Sequence, residues 1–190
     1  MLTTTDDRPE KPAVMEAWIE TGTGKIFNYL GDDTDGIDLD DIAGALSKQC
    51  RYTGHCSRFY SVAEHSFFVS LHVPKEFALA GLLHDASEAY LSDIASPIKQ
   101  LMTEYKGIED GIMKRIAKRF NLDDGFWKGP EVKEADWAML MSEASVLLPS
   151  QGRKWYFPDG QLPSIYKPAC WSPDAAAIMF KLRYNELTVV

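Results

Sequence analysis

The sequence predicts a mostly α fold, about six helices with a small β hairpin near the N-terminus. Three observations carry it. Apolar residues recur at helical spacing, most clearly as Ile98, Leu101, Met102, Tyr105, Ile108, Ile112, Ile116 and Phe120. Helix-opening signals recur as well: Ser61-Val62-Ala63-Glu64, Ser96-Pro97 and Ser172-Pro173-Asp174. The clearest pair of β-prone runs flanks Gly22-Thr23-Gly24. At 190 residues, residues 1–190 fit a single domain that can bury a core without disulfides or structural metal.

In chain order, residues 1–14 are polar with two prolines and read as a loose arm. Trp18 to Leu30 reads as the hairpin. Its Gly22-Thr23-Gly24-Lys25 resembles part of a phosphate-binding loop, but Ile26 stands where Ser or Thr is needed, so a plain turn is expected. The acidic run Gly31 to Asp41 has no glutamate closing it as a calcium loop would. Its aspartates instead cap a helix over about Leu39 to Gln49, with Ile42, Ala45 and Leu46 on one face. Arg51 to Tyr60 is a polar, aromatic, basic loop. The capping box at Ser61 starts a helix that carries His65 and stops near His72. Pro74 opens a helix to about Tyr90 carrying His84 and Asp85, and Ser96-Pro97 opens one that runs through two glycines to Phe120. A helix over about Pro130 to Leu147 contains Asp136. Pro149 to Cys170 is an aromatic, proline-rich loop with room for a short hairpin, and Ser172 caps a last helix to about Glu186.

The formal net charge of −8 disfavours binding to long nucleic acid. A small phosphorylated ligand remains compatible, because a local basic cluster or a metal reverses the field inside one pocket. Cys50, Cys56 and Cys170 form no CxxC pair and read as reduced thiols. With no signal segment at Met1 to Arg8 and no run near the roughly 20 apolar residues of a bilayer span, the expectation is a cytoplasmic protein with no membrane partner.

His65, His84, Asp85 and Asp136 lie among apolar neighbours, such as Phe67 and Phe68 beside His65 and Leu82 and Leu83 before His84. Buried, unpaired polar groups are costly. One divalent metal satisfies all four, and imidazole with carboxylate suits Mn²⁺, Co²⁺, Zn²⁺, Ni²⁺ or Fe²⁺. Glu131, Glu134 and Glu143 share the helix of Asp136 and read as solvated. His72 reads as favourable charge at a helix end. Trp155, Tyr156, Phe157 and Trp171 read as core cover, or as a lid if their loop reaches the site.

The order His65, His84-Asp85, Asp136 on successive helices resembles the HD-domain metal-dependent phosphohydrolases. The string HDASEAYLSDIASPIK from His84, and YSVAEHS from Tyr60, look most like the HD-type 5′-deoxynucleotidases and related phage and bacterial proteins. The resemblance covers roughly Asp38 to Leu147. It implies an HD-type helical bundle and one divalent ion, Mg²⁺ included, on His65, His84, Asp85 and Asp136. It implies that Glu88 assists proton transfer beside the metal-bound Asp85, that Asp93 contacts the sugar, that Arg51 contacts substrate, and that Tyr52 is the aromatic residue following it. By charge and position, Arg51, Arg58 and Lys99 are candidates to hold phosphate oxygens. Tyr52 is one to stack on a base, and His55 one to touch phosphate or cover the site.

The expected activity is metal-dependent hydrolysis of a nucleotide phosphoester, first of all a 5′-deoxynucleoside monophosphate. The alternatives are a deoxynucleoside triphosphate triphosphohydrolase, a hydrolase of another small phosphometabolite, and a metal-containing module that senses nucleotides without turnover. The partner is then a small molecule, and the self-association common among HD relatives leaves a homo-oligomer open.

Overall fold

The computed structural model describes residues 17–189; the arm expected over residues 1–14 lies outside the described residues. The hairpin forms from β1 (Trp18–Glu20) and β2 (Ile26–Asn28), antiparallel with Ile19 opposite Phe27. Thr21 N–H to Lys25 O at 2.9 Å closes the turn. Asp41 secures it by accepting from Thr23 N–H and Oγ1–H at 2.7 and 2.6 Å. Phe27 is buried and stacks on Tyr90 with ring centroids 4.0 Å apart.

Helix α1 (Leu39–Leu46) is capped by Asp38, which accepts from Asp40 N–H at 2.8 Å. It ends short of the expected Gln49 because the next residues are drawn into extended pairing. Gln49 O accepts from Val62 N–H at 3.1 Å, and Cys50 bridges Ser61. Helix α2 (Val62–His72) starts as expected, with Ser61 Oγ accepting from Glu64 N–H. The Glu64 side chain does not complete the capping box. It is fully buried and accepts from the N–H groups of Ala169, Cys170 and Trp171 at 2.7–2.8 Å, fastening the late loop to α2.

Two expected helices are each broken in two, which gives eight α segments among the described residues where about six were predicted. The one from Pro74 becomes a 3₁₀ turn (Lys75–Phe77), α3 (Ala78–Leu83) and α4 (Glu88–Leu91). The Gly81 carbonyl, which a continued helix would pair with Asp85 N–H, accepts His84 Nδ1–H at 2.8 Å. The following bonds then span three residues, from Ala86 N–H to Leu83 O and Glu88 N–H to Asp85 O. The helix expected from Ser96 to Phe120 divides at Met102 into α5 (Ser96–Lys99) and α6 (Thr103–Phe120). Its apolar stripe reaches the core only in the second half. Ile112, Ile116 and Phe120 are buried, whereas Ile98, Leu101, Met102 and Ile108 are exposed. Helices α7 (Pro130–Leu147) and α8 (Pro173–Thr188) match their expected starts. Residues 149–171 form turns and irregular chain, and no hairpin is present there among the described residues.

Helix α2 is the centre of the bundle and packs on α1, α3, α7 and α8. Its crossing with α3 needs Gly81. A Cβ there would lie 3.2 Å from Ser70 Cα and 3.1 Å from Val73 Cγ2. This close crossing sets the His65 helix against the segment carrying His84. Arg115, on α6, ties that helix to the hairpin by donating to Asn28 O and Asp33 O at 2.8 and 2.7 Å. Among the described residues no helix is long and apolar enough to cross a membrane.

Candidate metal centre

Four of the predicted side chains meet. His65 comes from the first turn of α2, His84 and Asp85 from the tightened turns after α3, and Asp136 from the middle of α7. His65 Nε2 lies 3.3 Å from His84 Nε2, 3.1 Å from Asp136 Oδ1 and 3.7 Å from Asp85 Oδ2. His84 Nε2 lies 3.2 Å from Asp85 Oδ2. One ligand atom from each of His65, His84 and Asp136 falls within 4.8 Å of the others, so these three could hold a metal ion. Donors each about 2.1 Å from a shared ion stand roughly 3.0–3.4 Å apart in octahedral or tetrahedral arrangement; three of the pairs show that spacing, and His65 Nε2 and Asp85 Oδ2 stand wider at 3.7 Å.

Each imidazole is oriented by its other nitrogen. His84 Nδ1–H is taken by Gly81 O, so Nε2 turns a lone pair toward Asp85 Oδ2, an acceptor. Two acceptors facing each other at 3.2 Å require a proton or a cation between them. His65 Nδ1–H donates to Glu143 Oε1 at 2.6 Å, the carboxylate–histidine pairing that fixes the tautomer of a metal-binding histidine.

Glu143 corrects the sequence reading, which took it as solvated. It is fully buried and is the hub behind the His–Asp group. Oε1 also accepts from Tyr60 O–H at 3.0 Å, and Oε2 accepts from Tyr52 O–H at 2.6 Å and Arg51 Nε–H at 3.1 Å. Burial alone would raise its pKa, but Arg51 and His65 outweigh this and lower it to about 2. His65 responds in the opposite sense. Burial and Arg51 would lower its pKa, yet Glu143 and Asp136 raise it to about 9 in the absence of an ion. Seven residues, two helical turns, separate Glu143 from Asp136, so they share a face of α7; that spacing was the available signal.

The other predicted residues fall into two groups. Arg51 is bound through Nε to Glu143, with its Nη1 3.7 Å from Asp85 Oδ2, so it lies beside the cluster. Tyr52 is turned by its hydroxyl toward Glu143. Glu88 is buried; its Oε1 accepts from Lys99 Nζ at 3.3 Å and its Oε2 has no partner among the described residues. Burial first, then the charges of Asp85 and Asp93, push the Glu88 carboxyl well above the usual range. Lys99, expected to hold phosphate, is shared between Glu88 and Glu109, the latter at 2.8 Å. Gln49, which the sequence reading passed over, links the segment. It donates to Glu88 O and accepts from Asp93 N–H, both at 2.8 Å. His55 and Arg58 are exposed on the loop before α2, and neither is hydrogen-bonded to the His–Asp group among the described residues. His55 lines a shallow surface depression with Cys56, Ser57 and Ser145. His72, at the end of α2, pairs through Nδ1 with Ser164 Oγ at 3.2 Å.

No protein-family model matches the chain. It is 31% identical over 116 residues to the uncharacterized protein RCAP_rcc00048 of Rhodobacter capsulatus, covering 56% of this chain and 59% of that protein. It is also 38% identical over 174 residues to the uncharacterized protein YfdR of Escherichia coli (strain K12), covering 90% of this chain and 96% of YfdR. With a match of that extent, the chain belongs to the family of YfdR.

Proposed function

We propose that the protein is a divalent-metal-dependent phosphohydrolase of the HD type, acting on a nucleotide phosphoester and first of all on a 5′-deoxynucleoside monophosphate. The observation that carries this reading is the convergence of His65, His84, Asp85 and Asp136, with both imidazole Nδ1 positions already committed to other partners. Those four residues would hold the ion. When bound, it supplies the Lewis acidity that lowers the pKa of water and draws charge from a phosphoryl oxygen.

The remaining steps belong to the chain. Arg51 is held through Nε by Glu143, which leaves terminal guanidinium nitrogens to grip phosphate oxygens. Burial and the charges of Asp85 and Asp93 raise the Glu88 pKa, which favours the protonated form of its carboxyl. From there it hands a proton to the ester oxygen as the bond from that oxygen to phosphorus breaks. Water supplies the new oxygen on phosphorus, and the products are an alcohol and inorganic phosphate. Asp93, fixed by Gln49 beside Glu88, accepts from a sugar hydroxyl.

The test is a phosphate-release screen over deoxynucleoside mono- and triphosphates in Mn²⁺, Co²⁺ and Mg²⁺. Release of phosphate from a monophosphate, with Glu88→Gln slowed by about 10²–10⁴ at full metal content, is expected. Tripolyphosphate release would move the substrate to the triphosphate. Absence of turnover of every phosphate ester in every metal would end the reading.

A further inference from the structure

The loop that sequence alone assigned to core cover carries the inference. Trp155 is 38% exposed, and its ring centroid lies 5.9 Å from that of Tyr52. Trp155 in turn stacks near Phe157 at 6.3 Å, and Phe157 meets Trp137 edge-on at 6.1 Å. Each end of this arc lies next to a residue of the His–Asp group or its Arg51 neighbour. Trp137 follows Asp136 in the chain. At the other end the Arg51 guanidinium sits 5.6 Å from the Tyr52 ring centre and 3.7 Å from Asp85. The ring contacts therefore run from Trp137, the residue after Asp136, to Tyr52 beside Arg51, and none of the four aromatic residues is fully buried.

The arc is held close to α7 by Gly152. Its φ is +76°, and a Cβ there would stand 3.4 Å from Ala144 Cβ and 3.5 Å from the Phe157 ring. The loop thus approaches the helix that carries Asp136 and Glu143. The hydroxyl of Tyr52 is committed to Glu143, which fixes its ring. Trp155 is the more exposed ring beside it, with a π face for a flat ligand.

We propose that Trp155 is a specificity-determining residue, the stacking surface for a planar aromatic group carried by the substrate, a nucleobase in the reading above. The proposal rests on that reading for the nature of the substrate, and its test separates the two. Stacking of one base on an aromatic side chain is worth about 5- to 150-fold in affinity. The wild type, Trp155→Ala and Trp155→Phe are compared in Mn²⁺-loaded form with deoxyadenosine 5′-monophosphate and with glycerol 3-phosphate, an ester without a ring. In Trp155→Ala the ratio of kcat/KM for the nucleotide over the ringless ester falls by that factor, mostly through KM, and Trp155→Phe restores most of it. An unchanged ratio, or an equal loss on both esters, overturns the proposal.

A second arm uses deoxyadenosine, which has no phosphate, titrated calorimetrically into the same proteins. Weaker binding to Trp155→Ala by at least about fivefold, with recovery in Trp155→Phe, supports stacking even if no ester is hydrolysed. Equal binding to all three, or no binding to the wild type, overturns it even if hydrolysis is found.

Discussion

Substituting Glu143 by glutamine tests the hub most directly, because it keeps the shape of the side chain and removes its charge. Four donors converge on this carboxylate: His65 Nδ1, Tyr60 O–H, Tyr52 O–H and Arg51 Nε. An amide has one acceptor oxygen, so two of the four would face an NH₂ group instead. Arg51 would also lose its nearest counter-charge. Breaking a buried pair in this way costs about 3–5 kcal/mol. For a domain of this size that is a fall in Tm of roughly 6–20 °C. Loss of a carboxylate behind a metal-binding histidine lowers metal affinity by about 10–100-fold. Calorimetric melting of the metal-free protein measures the first effect, and Mn²⁺ titration the second. The pH dependence gives an independent reading. The folded-state pKa of Glu143 is lowered from 4.5 to about 2. Its contribution is therefore complete above the unfolded value and is lost as pH falls through the folded one. The stability gap between wild type and variant should narrow over that acid range. A variant that melts within about 2 °C of wild type, a shift worth less than roughly 1 kcal/mol, and binds Mn²⁺ equally would refute the hub.

Two further outcomes test how the fold presents the site. Gly81→Ala places a methyl group 3.2 Å from the Ser70 backbone; it should cost about 1–3 kcal/mol by overpacking and weaken Mn²⁺ binding, both read by the same two assays. Glu64→Gln leaves N–H groups among Ala169, Cys170 and Trp171 facing a donor; about 1–3 kcal/mol is lost, and hydrogen exchange should accelerate at residues 169–171 while α7 keeps its protection.

The legible parts of the sequence were those where a residue conflicts with its neighbours. His65, His84, Asp85 and Asp136 stood out as polar groups in apolar helices, and they do meet. The hairpin, the caps at Asp38, Ser61 and Ser172, and the bounds of α7 were readable because each depends on a few adjacent residues. Glu143 was missed because a glutamate on a long helix looks solvated when judged by its own neighbours. Its burial depends on Arg51, Tyr52 and Tyr60, roughly 90 residues away in sequence. The break after α3 was illegible for a related reason. No proline marks it; a histidine ring competes for the Gly81 carbonyl. The stripe from Ile98 to Phe120 shows the limit of periodicity, which marks helical segments but not whether a core lies beneath them.

The electrostatics of the cluster would make a bound divalent ion and a proton competitors. With Asp85, Asp136 and Glu143 ionised and Arg51 as the nearby cation, the formal charge is three negatives against one positive. One divalent cation balances it. Without an ion, the raised His65 pKa of about 9 means that a proton sits on the imidazole at neutral pH. The Nδ1 hydrogen stays with Glu143, so the proton that must leave is the one on Nε2, which faces Asp136 and His84. Mn²⁺ binding at pH 7 should therefore release about one proton per ion, and the release should decline as pH rises past the His65 pKa. Calorimetric titration in two buffers of different ionisation enthalpy counts that proton directly. The sign follows because the folded-state pKa lies above the assay pH: metal affinity should rise with pH up to that value and then level off. Binding enthalpies that agree in both buffers at pH 7 would mean that His65 surrenders no proton, and that the ion does not bind at its Nε2.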